Sequence, residues 1–442
     1  MSEVLLSYYG DDLTGSTDVM EAMASHGVQT VLFIQQPTAP QRARFADCRA
    51  IGLAGTSRSE SPDWMDEHLI PAFAWLKRLD AAICHYKVCS TFDSSPEIGS
   101  IGRAIDIGRR TFGQAHVPLV VGAPQLKRYT TFGNLFAGYQ NQIYRIDRHP
   151  VMSRHPVTPM TEADLRLHLA RQTESPIALV DLIALLRSDA DETVDRAFLG
   201  GNGIVLFDVA DRATQQAAGH QLWRIHRQVG AFVAGSSGIE YALLGEWART
   251  GLIPGKASFV SPGSVDRIAV VSGSCSPTTE RQIRHATANG FEGIALDPRT
   301  LVHEAGTAIP AAIERGLRAL DAGRSVILYT ALGPATDIGR EFDAQDEARH
   351  AIGAALGRIE RALVDQAGLK RTVIAGGDTS SHALRQLSIF ALTTRLPLPA
   401  TPGSPLCTAH SDDKVFDGLQ IALKGGQVGG DDYFGKIREG SA

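Results

Sequence analysis

The sequence is short of the residues that mark several protein classes. Its 442 residues hold five cysteines, Cys48, Cys84, Cys89, Cys275 and Cys407, an odd number with no CxxC spacing. That disfavours a disulfide framework and leads us to expect reduced thiols in a cytoplasmic protein. The 14 histidines include no HExxH pair, so no metal-ligand cluster is expected. Long basic runs are missing and the formal net charge is −5. Nucleic acid is therefore a poor partner, because a phosphate backbone calls for clustered Lys and Arg. No apolar stretch approaches the roughly 20 residues of a membrane span. The opening MSEVLLSYYGDD has no basic n-region, and reads as a first β-strand rather than a signal peptide. GxxxxGKS/T and GxGxxG are both absent, which removes two familiar phosphate loops.

What is present is ordinary in bulk, 43% apolar and 21% charged, as in soluble globular proteins. The chain is too long for one typical core, so two domains are expected. Apolar runs at 4–7, 28–34, 50–53, 82–88 and 117–121 alternate with helical patterns, the mark of a parallel α/β sheet. Residues 130–134 read as loop, and 161–170 as a helix with Thr161 and Asp164 as capping candidates. A Gly-, Pro- and Ser-rich stretch, TGLIPGKASFVSPGSVD, suggests a linker. Beyond it the βα pattern restarts. The expected fold class is α/β, in two domains, each a mainly parallel sheet flanked by helices. The boundaries are 1–250, a linker at 251–266, and 267–442.

In such sheets ligands sit beyond the strands' C-terminal ends, and polar residues gather there. Asp11 and Asp12 follow the first run. A helix N-cap explains one Asp but not the pair. One acid can bind a substrate hydroxyl and the other accept its proton or hold a metal-bound water. Arg58 follows the third run and is suited to grip a carboxylate through two parallel bonds. Lys87-Val88-Cys89-Ser90 follows the fourth, with further hydroxyls and an acid through Ser94.

The second half carries three Gly/Ser turns at expected strand ends: SGSCS, GGDTSS and GGQVGG. Glycines admit a ligand close to the backbone, and free N–H groups at a helix start suit phosphate. Thr278 or Thr279 is expected to cap one helix, and Asp378 or Thr379 another. Lys424 is placed to reach a phosphate, a solvated lysine being the commoner case.

GDDLTGS, KVCSTFDS, HPVTPM, SGSCS, GGDTS and LKGGQVGG, in that order along nearly the whole chain, together resemble the four-carbon acid sugar kinases. The resemblance implies an N-terminal domain for the sugar acid, a C-terminal domain for ATP, and reaction between them. It implies ATP-dependent phosphorylation, with Mg2+, of the terminal hydroxyl of a tetronate or 3-oxo-tetronate. Carried over by position, Asp11 or Asp12, Arg58 and the turn Lys87, Val88, Cys89, Ser90 meet the sugar acid, with Asp11 or Asp12 as base. Ser274, Gly376, Gly377, Asp378, Thr379 and Gly426 meet the nucleotide. A homodimer is the candidate assembly. Two positions depart from the family pattern, Ser16 for Ala and Gly425 for Ser. The serine-rich KVCSTFDSSPEIGSIG stretch also keeps a branched or oxo sugar acid open as substrate. The rivals are a non-catalytic nucleotide- or sugar-acid-binding regulator, and an NAD-dependent dehydrogenase, which the missing GxGxxG disfavours.

Overall fold

A computed structural model of the chain describes residues 3–199, 201, 203–342 and 345–441. It divides into two compact units, one running to residue 31 and resuming over 38–257, the other taking 32–37 and 258 onward.

The first unit contains β1 (Leu6–Gly10), the start of β2 (Thr30–Phe33), β3 (Ala50–Ala54), β4 (Ile83–Lys87) and β5 (Val117–Val120). It continues with β6 (Arg128–Thr131), β7 (Asn134–Tyr139), β8 (Gln142–Arg145), β9 (Ile177–Val180), β10 (Ile204–Phe207) and β11 (Phe232–Gly235). Its main sheet has the order β2-β3-β1-β4-β11-β5-β10-β9. Every pairing from β3 to β9 is parallel. The strands are short apolar runs such as Ile204–Phe207, buried throughout, as expected where helices cover both faces. The chain winds from β1 to β2 and β3 on one side, then crosses to β4 on the other. That reversal is a topological switch point at the C-terminal ends of β1 and β4, the place where open α/β sheets take their ligands.

The second unit contains β12 (Ala269–Ser272), β13 (Phe291–Ala295), β14 (Ser325–Tyr329), β15 (Arg371–Ala375), β16 (Ile389–Leu396), β17 (Leu406–Ser411) and β18 (Gln420–Lys424). The order is β13-β14-β12-β15-β18-β17-β16. The first five strands in that order run parallel, and β17 and β16 extend the sheet antiparallel. Leu32 and Phe33, which belong to this unit, pair antiparallel with Leu392 and Ala391 of β16. Its core is built from Ile268, Val270, Ile327, Val373, Ala422 and Phe434 among others. Each sheet is thus mainly parallel and flanked by helices.

Three parts of the chain depart from the sequence expectation. Residues 130–134 are not simply loop but the middle of a small antiparallel sheet, β6-β7-β8. Its turns are Phe132-Gly133 and Gln140-Asn141, all four with positive φ. This is the two-residue hairpin geometry whose usual signature is Asn-Gly or Asp-Gly, and neither dipeptide is present there. Strands β16 and β17 fall in a stretch to which the sequence pattern assigns no element. The helix at 161–170 is only Leu165–Leu169, capped by Asp164.

Candidate functional site

The parallel registers bring the ends of the first unit's strands level. Gly10 is beside Ala54 and Lys87, and Gly235 is beside Lys87 and Val120. Asp11 and Asp12 leave this edge directly. The main chain pins them: the Asp11 N–H donates to Lys87 O at 2.9 Å, and the Arg58 N–H donates to Asp11 O at 3.1 Å. Asp12 is the N-cap of the helix Leu13–Ser25 and accepts from the Gly15 N–H. A Cβ on Gly15 would lie 2.8 Å from Asp12 Oδ1 and 2.9 Å from Lys87 Nζ. Only glycine lets the two charges close around that turn.

Arg58 does not stand free for a ligand's carboxylate. Its Nη1 donates to Asp12 Oδ2 at 2.6 Å, and its Nη2 lies 3.2 and 3.1 Å from the two oxygens of Asp93. Asp93 is buried and also accepts from Thr91 at 2.5 Å and from Thr158 at 3.2 Å. The Thr158 hydroxyl is 3.1 Å from His155 Nδ1. The KVCSTFDS and HPVTPM stretches therefore meet at Asp93. Asp93 and Thr158 lie within these motifs and are not among the site residues expected from the sequence. The signal available was an acid two residues after a threonine on a strand-end turn.

The turn itself packs tightly. The Val88 N–H donates to Gly235 O at 2.8 Å, and the Cys89 N–H donates to Asp11 Oδ2 at 3.3 Å. Cys89 Sγ is 3.0 Å from Thr91 Oγ1, and Ser90 is half-buried beside it. Lys87 is buried and donates to Val88 O at 3.0 Å. Below it, Ser237 donates to the buried Asp18.

The electrostatics separate the two adjacent aspartates. Burial, reinforced by the Asp12 charge, pushes Asp11 up to about 7, and its Oδ1 has no partner. For Asp12, burial works upward, but the Arg58 and Lys87 charges and the Gly15 N–H bring it below its ordinary value. Its side chain keeps 29% of its exposure. Lys87 is a mirror case: burial works to lower it, and the carboxylates of Asp18, Asp11 and Asp12 hold it above its ordinary value. Burial also raises Asp18.

In the second unit the registers align Tyr329, Ser272, Ala375 and Lys424, so the three Gly/Ser turns stand side by side. A Cβ on Gly273 would lie 2.2 Å from Thr379 Oγ1, and one on Gly376 2.8 Å from the same atom. Gly426 has Ser274 Oγ 3.1 Å from its Cβ position. Ser274 Oγ is 3.1 Å from Thr279 Oγ1, which donates to Gly426 O at 3.1 Å. Ser274, Gly376, Gly377, Thr379 and Gly426 are thus gathered at one edge. The side chain of Asp378 lies outside the described residues.

The caps differ from expectation. Ser276, not Thr278 or Thr279, caps the helix Pro277–Ala288, with Pro277 in its first turn. Thr279 is instead one turn in, where it ties two turns together. The helix Gly377–Leu384 begins at the second glycine, with Gly376 at the N-cap and no side-chain cap bond. Gly376, having no side chain, leaves the N–H groups of the first turn without an N-cap acceptor. Lys424 is neither solvated nor an open phosphate ligand. It is fully buried and donates to Thr279 Oγ1 at 3.0 Å and to the carbonyls of Gly425 and Gly426 at 2.9 and 3.4 Å. Burial lowers it to about 7. Among the described residues no three of His, Cys, Asp and Glu converge as a metal cage.

Comparison with known proteins finds two domain families along the chain. A domain family described as a sugar-binding N-terminal domain matches residues 6–243, and one described as a nucleotide-binding C-terminal domain matches 269–434. A 3-oxo-isoapionate kinase from Paraburkholderia graminis is 49% identical over 447 residues, 99% of this chain and 94% of that protein. A 3-oxo-tetronate kinase from Methylobacterium radiotolerans is 30% identical over 440 residues, 98% of each. A crystal structure of a putative tRNA synthase from Salmonella typhimurium superposes with a TM-score of 0.81 at 22% identity, covering 99% of this chain and 100% of that one. It supports the fold alone.

Proposed function

Since the chain belongs to the four-carbon acid sugar kinase family, with its sugar-binding and nucleotide-binding domains, we propose that it phosphorylates a hydroxyl of a small 3-oxo sugar acid from ATP. We place the branched acid 3-oxo-isoapionate ahead of 3-oxo-tetronate, because identity to the named kinases falls from 49% to 30% between them. The first unit binds the acid and the second the nucleotide, joined through residues 251–266.

The observation that carries the chemistry is the state of Asp11. Phosphoryl transfer asks for positioning, charge neutralisation and a residue that takes the hydroxyl proton. Asp11 offers an unpartnered oxygen and an ionisation near neutrality, the match a general base needs. Asp12 is committed to Arg58 and to its helix cap, so it stays ionised and fixes the guanidinium. Arg58 keeps N–H groups beyond those bonds and 31% of its side-chain exposure, enough to reach a sugar hydroxyl or the 3-oxo oxygen. The Cys89 and Ser90 turn walls the same space.

On the nucleotide side, the N–H groups of the Gly376–Thr379 turn and the edge at Ser274 and Gly426 cradle phosphate oxygens. Mg2+ bound to ATP takes most of its ligands from phosphates and water and needs only one or two protein oxygens. The hydroxyls of Ser274 and Thr379 would supply those. When bound, the ion neutralises charge on the transferred group.

A coupled ADP-release assay over 3-oxo-isoapionate, 3-oxo-tetronates, threonate and erythronate tests this reading. Turnover should be highest with 3-oxo-isoapionate. Binding of ATP and acid without ADP release from any of them would instead make the protein a regulator. Light scattering checks the homodimer.

A further inference from the structure

We propose that Arg128 is the cation that receives the carboxylate of the sugar acid, an inference that rests on the first unit being the acid-binding one. An organic anion in a partly desolvated crevice needs a positive charge that the protein has not already used. Arg58 lies between two carboxylates, Asp12 and Asp93. Lys87 is buried and is held charged by Asp18, Asp11 and Asp12. Neither has charge to spare.

Arg128 differs. It opens β6, the strand that turns back from the C-terminal end of β5. Ala123 and Arg128 exchange both backbone hydrogen bonds, at 2.9 and 3.2 Å. Arg128 therefore sits on the edge that carries Asp11 and the Cys89 turn. Its Nη1 is used locally, on Leu126 O at 3.0 Å and Lys127 O at 3.2 Å. Its Nε is buried with no partner. Among the described residues no carboxylate pairs with it, whereas Arg145 and Arg166 nearby on the same lobe hold Asp147 and Asp164 at 2.6 Å. Nη2 makes no bond to the described residues and is left to donate to a carboxylate oxygen, while the Nε beside it is screened from solvent.

The surroundings agree on direction. Burial lowers the Arg128 guanidinium below its ordinary range, with only Cys89 and Tyr129 working against it. Cys89 also acts on Arg58, and its N–H reaches Asp11. The thiol turn therefore lies between the two arginines. An unpaired, half-buried cation is unfavourable in the empty protein, and an incoming carboxylate relieves it. That is affinity gained only by an acid, so Arg128 separates sugar acids from neutral sugars and polyols.

The test is calorimetric titration of 3-oxo-isoapionate without ATP into the full-length wild-type protein, R128M and R128K, with erythritol as a neutral control and ATP titrated separately. R128M should weaken the acid by about tenfold to a hundredfold. Erythritol and ATP affinities should stay as in wild type, and R128K should keep part of the acid affinity. R128M that binds the acid as wild type does, or loses ATP and acid alike, overturns the assignment. Should the acid bind in an Arg128-dependent way with no ADP release, the kinase reading falls and the arginine's role stands. R128K, which keeps the charge, carries the comparison if R128M does not fold.

Discussion

Asp11 and Asp12 are consecutive in the chain, yet only Asp12 holds an ion pair: Arg58 Nη1 sits 2.6 Å from Asp12 Oδ2, while Asp11 accepts one backbone N–H at Oδ2 and its Oδ1 has no partner. One carboxylate is a fixed counter-charge and the other a site that can take a proton. Asp11→Asn should lower kcat by roughly 100- to 10,000-fold, with ATP affinity unchanged by titration. With the wild type, activity should rise with pH through about 7, where Asp11 ionises. A rate independent of pH between about 5.5 and 8.5 would remove Asp11 as the base.

The same shift predicts a stability effect of opposite sign to the activity loss. Asp11 titrates from 3.8 when unperturbed to about 7 in the folded chain. The folded state therefore holds the proton more tightly. Its contribution is full below the unfolded value and is lost as pH rises through the folded one. Asn has no such loss. Asp11→Asn should melt above the wild type at about pH 8.5, with the gap closing toward about pH 4. A gap that widens on acidification contradicts the assignment. A buried carboxylate that destabilises its own fold fits the role proposed for Asp11, since function commonly trades against stability.

Arg58 is held from behind by Asp93, which Thr91 and Thr158 fix in turn. Thr158→Val removes one hydroxyl from that buried carboxylate and touches neither Arg58 nor Asp12. It should raise the KM for the sugar acid several-fold, with the KM for ATP and the pH of half-maximal rate unchanged. Thr158→Ser, which keeps the hydroxyl, should restore most of the affinity. Equal losses in both variants would point to packing rather than to the hydrogen bond.

The sequence pattern was a good guide to the parallel strands, because a strand buried on both faces is a plain apolar run, as Val270–Val271 and Ile204–Phe207 show. The strand-end residues were legible for the same reason. Once the runs are parallel, Asp11, Arg58, Lys87, Ser274, Gly376 and Gly426 fall on their C-terminal edges by topology. What escaped was set by long-range contacts. Arg58 reads as a ligand arginine until Asp93, 35 residues on, is seen to engage it. Lys424 reads as a solvated or phosphate lysine until Thr279 is brought to it from 145 residues away. The hairpins β6-β7-β8 were hidden because Phe132-Gly133 and Gln140-Asn141 take positive φ without the usual turn dipeptides.

Lys424 gives the last prediction. Its three contacts tie the GGQ turn to the helix Pro277–Ala288, so in the proposed nucleotide site it acts by holding the turn in place. Lys424→Met takes the side-chain donor from the half-buried Gly425 carbonyl, at about 1–3 kcal/mol, while Gly426 O keeps Thr279 and Thr279 keeps Ser274. ATP affinity should fall while sugar-acid affinity, measured on the same sample, holds. The ammonium titrates from 10.5 when unperturbed to about 7 in the folded chain, so the unfolded chain binds its proton more tightly. Wild-type stability should therefore gain on Lys424→Met as pH climbs from about 7 toward 10. A difference between the two that ignores pH would mean the lysine is solvated, and the three turns would then be joined by Ser274 and Thr279 alone.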